Sequence, residues 1–272
     1  MSERKKIYAH RNSGWKYDLP DCNERPDKRE FTATWKALPN SIGRTYFEIA
    51  RRSIKVRGIS VIGGTLVFVH LATEVLPAIL NSLARGWHAG IDTTIFGIMI
   101  ISAAVWAFFP LFRMDLRLPR EEPIRFNRAR QKVYFYEYRY DRLYPFGSKG
   151  WGVKPVVYDW ADLTAEVYRV YAPMGGGGLI ENVMISVCKP GTEEVIDRLF
   201  LCDNIEQGKQ YWALARLYMQ SGYDALPDSV RPVQGQKVGT NLNPVRYFAP
   251  KVQWPAEIDF ESRSAPATDE YI

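Results

Sequence analysis

The sequence predicts an α+β membrane protein, in which a two-helix transmembrane hairpin is joined to a cytoplasmic antiparallel β-domain that a C-terminal helix closes. Three observations carry that expectation. Two apolar segments, Gly58–Leu80 and Gly90–Phe112, are separated by nine residues. Beyond them apolar and polar residues alternate with period two, which marks strands. One amphipathic stretch, from Asn204 to Ser221, follows the last alternating run.

Residues 1–40 form a basic cytoplasmic arm with scattered aromatics and prolines (Tyr8, Trp15, Tyr17, Pro20, Pro26, Trp35, Pro39) and no lasting period. That aromatic content argues against plain disorder and for an extended arm packed on another element. Residues 41–57 read as a juxtamembrane helix: Pro39-Asn40-Ser41 offers a start, Ile42, Tyr46, Ile49 and Ala50 an apolar edge, and Arg44, Arg51, Arg52 and Lys55 a basic one.

Residues 58–80 and 90–112 are the transmembrane helices, joined by a short periplasmic turn at 81–89. At about 1.5 Å per residue each covers about 34 Å, enough for a hydrocarbon core of about 30 Å. Ile59–Val69 and Ile95–Phe112 are apolar around the whole helical circumference, unlike the amphipathic helices of a soluble fold. A cleaved signal peptide is not expected, since the first segment starts 57 residues in and a second follows. Arg44, Arg51, Arg52, Lys55 and Arg57 precede the first segment, and Arg113, Arg117, Arg120, Arg125, Arg128, Arg130 and Lys132 follow the second, while the turn holds Arg85 and His88. Retention of Lys and Arg inside predicts a multi-pass membrane protein with both termini cytoplasmic and the turn outside. Trp87 and Trp106 suit interfacial or lipid-facing positions.

Residues 113–222 form the β-domain. Pro123–Asn127 and the run Val133, Phe135 against Tyr134, Tyr136 are rich in aromatic and β-branched residues at period two, with a turn at 127–130. Further strands are expected at Val153–Asp159, Thr164–Tyr171, Leu179–Val187 and Val195–Leu201, separated by breaks that suit hairpins. Asn204 then caps a helix whose apolar face includes Ile205, Trp212, Ala215 and Met219, and Gly222 stops it. Residues 223–272 are a proline-containing extension that reads as coil from residue 225, with Val245–Trp254 as a candidate short extended segment added to the domain.

The net charge of +6 and pI near 9.1 do not predict nucleic-acid binding, because the basic residues crowd the membrane flanks, where topology and anionic headgroups account for them. Cys22, Cys188 and Cys202 lack disulfide or metal spacing and read as reduced thiols. No catalytic residue, cofactor or metal site is expected: Asp159 and Asp162 read as turn formers, and the run Met174-Gly175 to Gly178 lacks the helix start a phosphate loop needs.

The candidate site residues are of three kinds. His70 and Glu74 stand four apart on one face of the first segment, at a depth where an ionised group costs about 3 kcal/mol. They read either as a couple fastening the helix to Thr93, Thr94 or Ser102, or as a proton-sensitive, ion-conducting or partner-binding site. Ser60 with Gly64, Thr93 with Gly97, and Ala103 with Ala107 have the small-xxx-small spacing of packed membrane helices. Arg139, Arg142 and Lys149, interleaved with Tyr138 and Tyr140, could meet an anionic headgroup or an acidic partner, or simply be solvated.

Six strands and a closing helix over residues 123–222 resemble the layout of the pleckstrin-homology-like barrel. The arm's Gly14-Trp15-Lys16, the two apolar segments, and Ile124-Arg125-Phe126-Asn127 with Val133-Tyr134-Phe135 and Trp160 also resemble a family of uncharacterised bacterial inner-membrane proteins often encoded near type VI secretion effectors. That resemblance, over residues 10–222, implies an immunity or accessory protein that shields the producing cell, with a cognate toxin as partner. The competing expectations are a membrane-tethered scaffold whose β-domain binds lipid or protein, and a small ion-conducting homo-oligomer.

Overall fold

The computed structural model describes residues 13–31, 39–51, 58–141, 143–171, 178–230 and 249–266. Residues 1–12, Trp35, the basic stretch 52–57, Arg142, the glycine run at 174–177 and the extension at 231–248 lie outside the described residues, as does the side chain of Ser60.

The arm contributes β1 (Trp15–Asp18), followed by β2 (Ser41–Ile42) and β3 (Tyr46–Ala50). The apolar hairpin consists of α1 (Ile59–His70), a π-helical turn (Leu71–Val75), α2 (Leu76–Ala84) and α3 (Trp87–Arg117). Then come β4 (Pro123–Asn127), β5 (Lys132–Phe135), β6 (Tyr138–Arg139), β7 (Gly152–Val153), β8 (Val156–Asp159), β9 (Leu163–Tyr171), β10 (Leu179–Cys188) and β11 (Val195–Cys202). Among the described residues, α4 (Ile205–Ser221) and α5 (Ala256–Arg263) follow. Every ladder among the described residues is antiparallel, in two main sheets ordered β1-β9-β10-β11 and β2-β3-β4-β5-β8, with a separate β6-β7 hairpin.

The inner faces of the two sheets enclose one core with α4. Phe47 stacks on Phe126 at 4.7 Å and meets Tyr218 edge-on at 4.9 Å, while Trp160 lies 5.0 Å from Trp212. Asn204 caps α4 as expected, its side chain accepting from the Gln207 amide. The helix stops at Gly222, whose φ of +83° a side chain would resist.

Three expectations are corrected. Residues 41–50 are strands, not the first part of a juxtamembrane helix, because Phe47 and Ile49 alternate into the core opposite Phe126 and Ile124. The β-domain is not a closed barrel: among the described residues the two main sheets share no ladder and are linked by a short 3-10 turn, Trp160–Asp162. The C-terminal extension is not all coil, since Pro255 introduces α5, with Glu257 and Asp259 in its first turn and Arg263 in its last, signs that suit the helix dipole.

The arm does pack on the β-domain. β1 adds to the edge of β9, pairing Tyr17 with Val167 and Asp18 with Glu166. Gly14 makes this possible, at φ +88°, where a Cβ would collide with Val170 and the Arg169 carbonyl. Further on, the Trp212 indole donates to the Pro20 carbonyl, and Arg216 donates to the Glu24 carbonyl and pairs with Glu30.

Two helical stretches, Val61–Ala84 and Gly90–Arg117, are long and apolar enough to cross a membrane. Only 17% and 11% of their apolar windows are buried in the fold, whereas a core helix of a soluble protein would be mostly buried. The hairpin is spliced between β3 and β4, which pair from Tyr46–Asn127 to Ala50–Pro123. Both of its ends therefore sit at one end of one sheet, and any membrane it crosses has β3 and β4 on the same side.

Candidate functional site

The hairpin carries two of the three predicted groups of site residues. His70 ends α1 and Glu74 lies in the π-helical turn, and both side chains are exposed. Neither makes a hydrogen bond or ion pair among the described residues. The expected fastening to Thr93, Thr94 or Ser102 is absent there: Thr94 donates to the Gly90 carbonyl, and Thr93 and Ser102 are exposed. The turn is wide because Pro77 has no N–H to continue the α-helical ladder; the Leu76 amide reaches back five residues to the Leu71 carbonyl. The Thr73 hydroxyl donates to the Val69 carbonyl beside it. Seven residues before His70, Gly63 has open space where a Cβ would stand.

The small residues divide. Gly64 faces Phe112, and Gly97 faces Ile79 so closely that an added Cβ would lie 2.6 Å from it. Both glycines lie where the helices of the hairpin approach each other. Thr93, Ala103 and Ala107 are exposed and take no part in that contact. A closer approach, missed in the sequence, is at Gly90, against the Ser82 backbone, where the Ser82 hydroxyl donates to the Gly90 carbonyl at 2.5 Å. Its signal was a second small residue seven positions before Gly97.

The third group is split as well. Arg139 and Tyr140 are exposed at the β6 end of the small hairpin and Lys149 on the loop that leads to β7, whereas Tyr138 is buried, its amide donating to Glu122. Arg142 lies outside the described residues. Tyr134 and Tyr136, which alternate with Val133 and Phe135, lie on a face that is covered: the Tyr134 hydroxyl donates to Glu261 of α5, and Tyr136 packs edge-on against Trp254 at 5.1 Å. Burial and the Glu261 carboxylate push the Tyr134 phenol well above its ordinary range.

Two arginines counted as membrane flank are structural. Arg51 is buried, pairs with Glu137 and Glu122, and donates to the carbonyl of Tyr136. Arg125 is buried between Glu48 and Asp259, with its guanidinium 4.5 Å over the Trp254 ring. Their charge is neutralised within the domain, so the charge bias rests on the remaining basic residues.

Where α3 leaves its apolar run, a cluster missed in the sequence appears. Phe146 packs on Phe109 at 4.4 Å. Arg113 donates to the Pro145 and Gly147 carbonyls and lies 4.4 Å over the Trp151 ring. A cavity of about 390 Å³ opens here, lined by Phe109, Phe112, Arg113, Leu116, Arg117 and Phe146. The available signal was Leu143-Tyr144-Pro145-Phe146, an apolar run in a loop where polar residues are the rule.

Fold and site define a class: an α+β domain that carries an apolar helical hairpin between two strands of one sheet. The chain belongs to a family of unknown function, DUF6708, whose model matches residues 101–266, from the second half of α3 through α5. No curated protein and no solved structure matches it.

Proposed function

We propose that this protein is a non-enzymatic interaction module of a bacterial inner membrane, anchored by the α1–α3 hairpin with the β-domain in the cytoplasm, and that His70 and Glu74 bind a partner inside the bilayer. The observation that carries this reading is the exposure of both side chains, unpartnered among the described residues, on an apolar helix. In hydrocarbon each such group costs about 3 kcal/mol, so ionisable residues at that depth usually face a partner or a polar cavity. The π-helical turn around Glu74 and the open Gly63 favour close approach of another helix, since π-turns cluster at functional sites and small residues admit a neighbouring backbone. In this reading the β-domain is a variant of the pleckstrin-homology-like layout: a β3-β4-β5-β8 meander, then β9-β10-β11 and a closing α4, with the membrane hairpin inserted after the first meander strand.

The role implied by the sequence resemblance, protection against a toxin delivered by a type VI-like system, is one specific form of this module; a second copy of the chain, including an ion-conducting oligomer, is another. A scaffold that recognises lipid or protein through its β-domain is the second reading, favoured by the exposed Arg139, Tyr140 and Lys149 on one small hairpin.

Replacing both His70 and Glu74 with leucine separates a bound pair from an idle one. A pair that holds a partner predicts loss of the co-purifying membrane partner, whether toxin or second copy, with folding intact. A pair that merely faces lipid predicts unchanged association and a higher melting temperature in detergent, and that result would sink the proposal. Cross-linking through Leu66→Cys, an exposed position one turn before His70 on the same face, identifies the partner while leaving the pair intact, with Ala103→Cys as a control on another exposed position; the native Cys22, Cys188 and Cys202 are buried.

A further inference from the structure

We infer that the loop from Leu143 to Trp151 is a wedge in the membrane interface and that, with the end of α3, it binds the phosphate of an anionic phospholipid in the leaflet next to the β-domain. The inference rests on the hairpin spanning a membrane but is independent of His70 and Glu74.

Depth is the first argument. Phe109 belongs to the apolar run of α3, and at about 1.5 Å per residue Arg113 stands about 6 Å and Arg117 about 12 Å further along. A headgroup layer is about 5–8 Å thick on each side of the hydrocarbon. The contact of Phe146 with Phe109 therefore places the loop at the hydrocarbon edge, and Arg113 and Arg117 traverse the headgroups. The loop is held there by the two bonds from Arg113 and by the Trp151 indole, which donates to the Tyr144 carbonyl at 3.2 Å.

The second argument is what the loop presents. Leu143, Tyr144 and Phe146 are 72%, 71% and 64% exposed, three large apolar side chains on one loop. In water this would be a costly patch, while at a bilayer surface aromatic and aliphatic side chains of this kind act as anchors. Beside them the cavity joins an apolar wall of Phe109, Phe112, Leu116 and Phe146 to the guanidinium groups of Arg113 and Arg117. Arg113 is engaged with the loop carbonyls, but Arg117 is exposed and has no hydrogen-bond or ionic partner among the described residues. Lys149 is exposed on the same loop. An acyl chain suits the wall and a phosphodiester suits Arg117, so charge and polarity together favour a phospholipid over a protein segment.

Two measurements on the full-length protein, in vesicles of equal parts phosphatidylglycerol and phosphatidylcholine, test this. An environment-sensitive fluorophore on Tyr144→Cys should be quenched by a shallow doxyl-labelled lipid, and one on Ile98→Cys by a deep one. Quenching at Ile98 without quenching at Tyr144 overturns the wedge and leaves the spanning hairpin standing; quenching at neither overturns the spanning hairpin itself. Native mass spectrometry should show the wild type retaining phosphatidylglycerol in preference to phosphatidylcholine. Arg117→Glu should reduce that preference by about fivefold or more, on the scale of one basic residue at an anionic surface, and Arg117→Lys should largely keep it. Equal retention of the two lipids by the wild type, or a preference untouched by Arg117→Glu, overturns the lipid site.

Discussion

Tyr158 ties the two main sheets together at their edges, its hydroxyl on β8 donating to Asp197 of β11 at 2.8 Å. Burial, then the bond to Asp197, pushes its pKa from the ordinary 10 up to about 12. A folded-state pKa above the unfolded one means stability that is complete below pH 10 and lost as pH rises through about 12. Tyr158→Phe should therefore cost about 1 kcal/mol at neutral pH and flatten the fall in stability between pH 10 and 12. Denaturant midpoints followed by tryptophan fluorescence across that range check it; an alkaline limb as steep as wild type refutes it. Arg51 and Arg125 teach a related lesson. Both read in sequence as flank charges, because a run of arginines beside an apolar segment has the same composition whether it meets headgroups or carboxylates. Their partners Glu137 and Asp259 were not legible, since Asp259 lies 134 positions from Arg125.

Among the elements, the apolar hairpin depends most on single glycines. The approach of α1 to α3 leaves no space at Gly64, where Phe112 occupies the place of a side chain. Gly64→Ile should force Phe112 aside and cost about 1–3 kcal/mol through overpacking, lowering the melting temperature in detergent, while Gly63→Ile, facing open space, should leave the melting temperature nearly unchanged. A pair of variants with equal stability would contradict the packing. Element types were largely readable. Strands β4, β5, β8, β9, β10 and β11 follow alternating runs and α4 follows its cap and stop signals, whereas the single strand expected at Val153–Asp159 is divided into β7 and β8, and β6 had no separate signal. The β3 misreading arose because Tyr46, Ile49 and Ala50 fit a helical stripe about as well as Phe47 and Ile49 fit a strand, and only the ladder to β4 decides between them. The short α5 was obscured by the prolines around it, and it is held by tertiary bonds such as those from Asn127 to the Ser262 and Ser264 carbonyls.

At the scale of the whole molecule, splicing the hairpin into the β3–β4 connection welds the apolar hairpin and the β-domain into one unit. With the hairpin in a membrane, Arg85→Cys in the tight turn should react with an impermeant maleimide added outside intact cells, and Glu121→Cys beside β4 should react only after permeabilisation. Labelling of both from outside would overturn the orientation. The sequence by itself determined the apolar length of the hairpin, the alternation of the β-domain and the caps of α4, because each depends on neighbouring residues and their contact with water or lipid. The tertiary structure alone decided that the hairpin interrupts a β-ladder, that His70 and Glu74 face outward, that Arg51 and Arg125 are buried, and that Phe146 meets Phe109. Those outcomes depend on which distant surfaces compete for the same side chain, and the free energy of that competition is set by packing and charge pairing between segments that no local pattern connects.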